Sequence, residues 1–135
     1  MPKKNVLILG GGMIVHDQIL PSLYHLQRMG EIGKISVCAR HTTPLKSLQE
    51  SPTIKEAFPE QIFESFPPLD TPEDKYYPEL YKEAIKTLSP RQCVFIALPD
   101  HLHYPAIMEA LDHEQHVILS LIHISEPTRL LSISY

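Results

Sequence analysis

Cysteine is scarce in this 135-residue sequence, which has two, and glycine is nearly as rare, with five. Cys38 and Cys93 sit inside the apolar runs ISVCA and CVFIAL. A disulfide scaffold carries more cysteines, in loops, so these two read as small buried hydrophobes in a reducing compartment. Long hydrophobic runs are missing too. The stretch VLILGGGMIV follows Lys3 and Lys4, but three glycines interrupt it, and His16 and Asp17 come next. A signal peptide needs a longer apolar core and a small-residue cleavage site. No window approaches the ~20 apolar residues of a membrane span. A cytoplasmic protein with no membrane partner is expected. Excess positive charge is also absent: 12 Lys and Arg stand against 16 Asp and Glu, for a net charge of −4. That argues against a dedicated nucleic-acid partner.

Apolar and charged residues are present in ordinary measure, 43% and 21%. This is the composition and size of one globular domain. It excludes a disordered tail, a collagen-like chain and a coiled coil. Proline is the one excess, at 13 residues, about twice the ~5% background. The prolines are scattered and punctuate turns.

Val6–Leu9 is β-rich without alternation, the mark of a strand buried on both faces. After Gly10–Gly12, the residues Ile19, Leu20, Leu23, Leu26 and Met29 recur at helical spacing. Pro21 is awkward in that helix, and predicts either a kink or a cap by Asp17. Ile35–Ala39 is a second strand, Pro44–Phe58 is weakly helical with Pro52 interrupting, and Ile62–Phe66 is a short third strand. Pro78–Leu88 is an amphipathic helix, Cys93–Leu98 a strand, Pro105–Leu111 a helix and His116–Leu119 a strand. Alternating strands and helices predict an α/β fold: a parallel, doubly wound, Rossmann-type sheet in the order 3-2-1-4-5.

Gly10 and Gly12 stand between a buried strand and a helix, the context that distinguishes a dinucleotide turn from a chance match. The first glycine permits the tight turn, and the second lets the backbone approach a pyrophosphate. The helix N-terminus, at Met13 and Ile14, supplies N–H donors and the positive dipole end. Val15 replaces the third glycine of the usual fingerprint. A merely tight strand–helix turn is the plainer alternative. After the second strand, an NAD site presents a carboxylate to the ribose hydroxyls. Here the chain reads Val37-Cys38-Ala39-Arg40-His41-Thr42-Thr43. Ala39 removes repulsion, Arg40 can pair with a 2′-phosphate or stack on adenine, and Thr42 or Thr43 can add a hydroxyl. This favours NADP over NAD. A solvated surface Arg40 is the alternative.

The segment CVFIALPDHLHYPAIMEALDHEQHVI carries the most specific pattern: Ala97-Leu98-Pro99-Asp100-His101-Leu102-His103, then Ala110-Leu111 and His116-Val117. Together with the glycine turn, it resembles the N-terminal domain of the Gfo/Idh/MocA oxidoreductases over residues 5 to 118. The stretch from Pro44 to Gln92 matches only in element order. The resemblance implies that Ala97, Leu98 and Pro99 line the nicotinamide-ribose end of the cofactor and that His103 braces their loop. It implies hydride transfer between NADP or NAD and a sugar, cyclitol or related polyol, in a homo-oligomeric parent. Without the resemblance, His101 and His103 read as partly exposed loop histidines. Metal-ligand spacing is not seen.

The family then carries a lysine, as Lys-Pro, and a second domain with a catalytic histidine. Here LSLIHISEPTRLLSISY follows Ile118, and no lysine follows Lys86. The string LSLIHISEPTR is one translation of a transposase-type sequencing adaptor. Residues 1–118 therefore read as the dinucleotide-binding domain and 119–135 as a non-native tail, in which Ser125, Glu126 and Pro127 should break any strand. The substrate domain and its catalytic residues would lie elsewhere in the parent, leaving this piece without turnover. A non-catalytic dinucleotide-binding module, such as a redox sensor or scaffold, is the alternative, and a Rossmann protein for another nucleotide a third.

Overall fold

The computed structural model describes residues 3–123 and 126–133. Val6–Leu9 forms strand β1, with every side chain buried. Val6 and Ile8 join one apolar cluster, while Leu7 and Leu9 join another. A strand covered on both faces has no side left for polar residues, which explains the lack of alternation. The chain continues through α1 (Leu20–Arg28), β2 (Ile35–Cys38), α2 (Thr42–Glu50), α3 (Pro52–Ala57) and β3 (Glu64–Phe66). It then forms α4 (Leu80–Lys86), β4 (Cys93–Ile96), α5 (His103–Asp112), β5 (His116–His123) and β6 (Glu126–Ile133). The sheet order is β3-β2-β1-β4-β5-β6. β1 to β5 are parallel, in the expected order. Leu20, Leu23, Leu45, Leu48 and Ile54 of α1 to α3 cover one face. Ala84, Ile85, Ala106 and Ala110 of α4 and α5 cover the other. The fold is a doubly wound, Rossmann-type α/β sheet.

Several boundaries differ from the sequence reading. β3 begins two residues late: its pairing starts at Ser36 opposite Glu64, and Ile62 is exposed. β4 stops at Ile96, because Ala97 and Leu98 turn out of the sheet. Pro21 is accommodated by an unforeseen device. It occupies the start of α1, where a missing N–H costs little. The preceding turn, Val15–Ile19, widens into π geometry, with the Leu20 N–H donating to the Val15 carbonyl. Asp17 does not cap α1; its carboxylate accepts a hydrogen bond from His16 Nδ1 at 2.7 Å. At the far end Gly30, with φ of 81°, closes the helix. The Glu31 N–H donates to the Leu26 carbonyl and the Gly30 N–H to that of Gln27, the paired bonds of a Schellman cap.

The expected break after His123 needs correction. Ser125 lies outside the described residues, but Glu126 and Pro127 open β6 and do not end the sheet. β6 runs antiparallel to β5, with Val117 opposite Ile133 and His123 opposite Glu126. The physical reason is the open edge of β5. Unpaired N–H and C=O groups there accept an extended segment, and proline is tolerated on an edge strand.

Candidate functional site

The strand register brings three strand ends level. Leu9 stands opposite Cys38 on one side and Ile96 on the other. The chain leaves β1 toward β2 and β3, then returns to β4 on the far side. The loops after β1 and β4 leave the sheet at that reversal, the usual ligand position of such sheets.

The three glycines do different work there. Gly10 has φ of 115°, and a Cβ on it would overlap the Ala97 carbonyl, with the carbonyl carbon 3.0 Å away. Its N–H donates to the Cys38 carbonyl at 2.7 Å, and the Ala97 N–H donates to the Leu9 carbonyl at 2.8 Å. Gly10 thus locks the ends of β1, β2 and β4 together. Gly11 is packed against Pro44 of α2. Around Gly12 a Cβ would meet nothing within 4 Å. The Gly12 carbonyl accepts from the Val15 and His16 N–H groups. Those of Met13 and Ile14, heading the helical turn, precede any intrahelical partner. Met13 is 78% exposed. Open space over Gly12, beside a helix start, is a cradle that fits a pyrophosphate.

At the end of β2, Ala39 is half-buried and Arg40 exposed. Thr42 is committed elsewhere: it is fully buried, and its hydroxyl donates to the Thr71 carbonyl at 3.2 Å. This corrects its reading as a phosphate donor; of the pair, Thr43 is the exposed one. A small cavity of about 90 Å³ adjoins this strand end. Its walls are Leu9, Cys38 and Ala39, then Leu98, Leu102 and Pro105, then Tyr77, Pro78 and Tyr81, with Arg40 among them. Burial pushes the Cys38 thiol up to about 12, so it stays protonated and unreactive.

The loop after β4 is held by His103. Its ring is buried, and Nε2 donates to the Leu98 carbonyl at 2.7 Å. A carbonyl only accepts, so Nε2 carries the proton. Ala97 and Leu98 are half-buried and Pro99 is exposed. Ala97 packs directly on Gly10, whereas Leu98 turns to the cavity on the Arg40 side. Sequence reasoning missed Tyr77, Pro78 and Tyr81. The only signal was the pair Tyr76-Tyr77 just before the amphipathic run that opens at Pro78. Among the described residues no cluster of His, Cys, Asp and Glu could hold a metal ion. No helix among them is long and apolar enough to cross a membrane.

The profile of an oxidoreductase family with an NAD-binding Rossmann fold, the Gfo/Idh/MocA group, matches residues 4–120. No curated protein sequence matches the chain. Among solved structures, an oxidoreductase from Thermotoga maritima is similar, with 21% identity over 87% of this chain and a TM-score of 0.55. A glucose-6-phosphate 1-dehydrogenase from Mycobacterium avium is similar as well, with 18% identity over 87% of this chain and a TM-score of 0.59. At these identities the likeness concerns the fold. The chain spans 29% of the length of each.

Proposed function

The chain belongs to the Gfo/Idh/MocA oxidoreductase family through an NAD-binding Rossmann domain, and from that premise we propose that it is the cofactor-holding part of a nicotinamide-dependent oxidoreductase. The observation that carries the reading is the contrast between Gly10, locked against Ala97, and Gly12, open to a ligand. Gly12 and the amides of Met13 and Ile14 hold the pyrophosphate. Arg40 meets the adenosine end, with Ala39 too small to obstruct it. Ala97, Leu98 and Pro99 carry the nicotinamide-ribose end, kept in place by His103. A bound nicotinamide supplies the hydride acceptor or donor.

The substrate class we propose is a sugar, cyclitol or related polyol, handled by a further domain of the parent protein that holds the acid–base residues. Free thiols at Cys38 and Cys93 support a cytoplasmic setting. NADP is the preferred cofactor, because a guanidinium pairs with phosphate and no carboxylate stands after β2. Calorimetry of the chain with NADP and NAD tests this. Arg40→Ala should weaken NADP by about 1.5–3 kcal/mol, the usual worth of a hydrogen bond to a charged group, and NAD much less. Equal loss for both cofactors would reduce Arg40 to an adenine-stacking residue. Binding of neither by folded wild-type chain would overturn the reading.

A further inference from the structure

His41 follows Arg40 at the end of β2 and is the N-cap residue of α2, with extended backbone at φ −152° and ψ 172°. The short oxygen-bearing side chains of Ser, Thr, Asp and Asn ordinarily cap a helix from that position. The imidazole does not: α2 has no side-chain cap bond. Its Nδ1 is buried and has no hydrogen-bond partner among the described residues. A buried, unsatisfied polar atom is costly, and in a native protein it calls for a reason.

The surroundings supply one. The ring stacks on Tyr76, with centroids 4.6 Å apart and planes 26° from parallel. Tyr76 is itself 63% exposed, so it covers the imidazole from the solvent side. The loop carrying Tyr76 is fastened to the same turn on both sides. Thr42 Oγ1 donates to the Thr71 carbonyl, Lys46 Nζ pairs with Glu73 at 3.3 Å, and the Tyr77 N–H donates to the Arg40 carbonyl at 2.7 Å. Glu73, one of this loop's carboxylates with Asp70, Asp74 and Glu79, is thereby engaged by a lysine. The orphan nitrogen thus lies at the strand end where a dinucleotide fold places the adenosine ribose.

We propose that His41 is a second selectivity residue of this site, whose Nδ1 donates to the 2′-phosphate of NADP beside the Arg40 guanidinium. Tyr76, which stacks on the imidazole and is largely exposed, is the side that yields when the phosphate enters. The inference rests on the dinucleotide reading above. A ribose hydroxyl, uncharged, gains less from the same donor than a phosphate does, since bonds with an ionised partner are about twice as strong. His41 therefore acts on the choice between cofactors more than on the binding of both.

Calorimetry of the full chain with 2′,5′-ADP and 5′-AMP tests it, since these probes differ only in the 2′-phosphate. The wild type should bind 2′,5′-ADP at least about tenfold more tightly, and His41→Phe, which keeps a flat ring for Tyr76, should reduce that ratio by about tenfold. Affinity of His41→Phe for 5′-AMP should stay within about twofold of wild type, and His41→Asn, which returns a donor near Nδ1, should restore most of the ratio. In wild type, the His41 ring NMR signals should move with 2′,5′-ADP and stay still with 5′-AMP. That measurement decides the matter if His41→Phe fails to fold. An unchanged ratio in His41→Phe, equal loss of both probes, or unmoved ring signals would overturn the proposal and leave dinucleotide binding intact. A folded wild type that binds neither probe would overturn the dinucleotide reading as well.

Discussion

Two glycines two residues apart have separable tasks. Gly10 is required by backbone conformation and by the Ala97 carbonyl pressed against it. Gly10→Ala is expected to destabilise the fold by well over about 1 kcal/mol in urea unfolding, because alanine resists positive φ and its Cβ has no room. Gly12 meets no such limit. Gly12→Ala should leave unfolding within about 0.5 kcal/mol, yet weaken dinucleotide binding in calorimetry. The same loss of stability in both variants would show that both serve only the turn. His103 is a third informative position. His103→Ala leaves the Leu98 carbonyl without its donor, and should cost about 1–3 kcal/mol in the same unfolding experiment.

At the scale of elements, the helical segment after the glycines is tied to α3, on the same face of the sheet, by one hydrogen-bonded line. Asp17 accepts from His16 Nδ1 at 2.7 Å, and His16 Nε2 meets Ser51 Oγ at 2.7 Å. Ser51 Oγ in turn accepts the Ile54 N–H at 3.4 Å and so caps α3. The π turn Val15–Ile19 positions His16 for this contact. Ser51→Ala removes cap and tie together, and should destabilise the chain by about 1–2 kcal/mol. A change near zero would show that solvent replaces the tie at no cost. The β3–α4 loop is the second element that matters. It folds back over the end of β2 through Thr71, Glu73, Tyr76 and Tyr77, and its next residues wall the cavity beside Arg40.

For the molecule as a whole, burial sets a limit at alkaline pH. The Cys38 thiol rises from 9.0 to about 12, and the Tyr24 phenol is also raised by burial. Above pH 9 the unfolded chain sheds the thiol proton while the folded chain keeps it. The contribution of this thiol is therefore full below about pH 9 and is lost as pH rises toward 12. Urea midpoints measured across that window should decline, and Cys38→Ala should flatten the first part of the decline. The tail offers a second test at this scale. We propose that it is not native sequence, although its strand β6 pairs with β5. Deleting residues 124–135 should then shift unfolding by no more than about 0.5 kcal/mol, the range of changes away from a packed core. A loss of several kcal/mol would make β6 an integral part of the domain.

The local pattern of residues was enough to determine the order of strands and helices and the position of the glycine turn. These depend on neighbours in the chain: β-rich runs buried on both faces, glycines where a strand must turn, and proline where a helix starts or stops. The parallel order 3-2-1-4-5 also follows, because right-handed crossovers leave few ways to connect such elements. Only the tertiary structure decided which nearby polar groups are buried by packing and which stay exposed. Thr42 and Thr43 are equivalent as letters, but packing buries the first against Thr71 and leaves the second exposed. His41 and Tyr76 are 35 positions apart in the chain, and nothing local announces that their rings stack. The π turn before Pro21 and the pairing of β6 are likewise unreadable locally. One settles a backbone conflict in three dimensions, and the other exists because the edge of β5 was open.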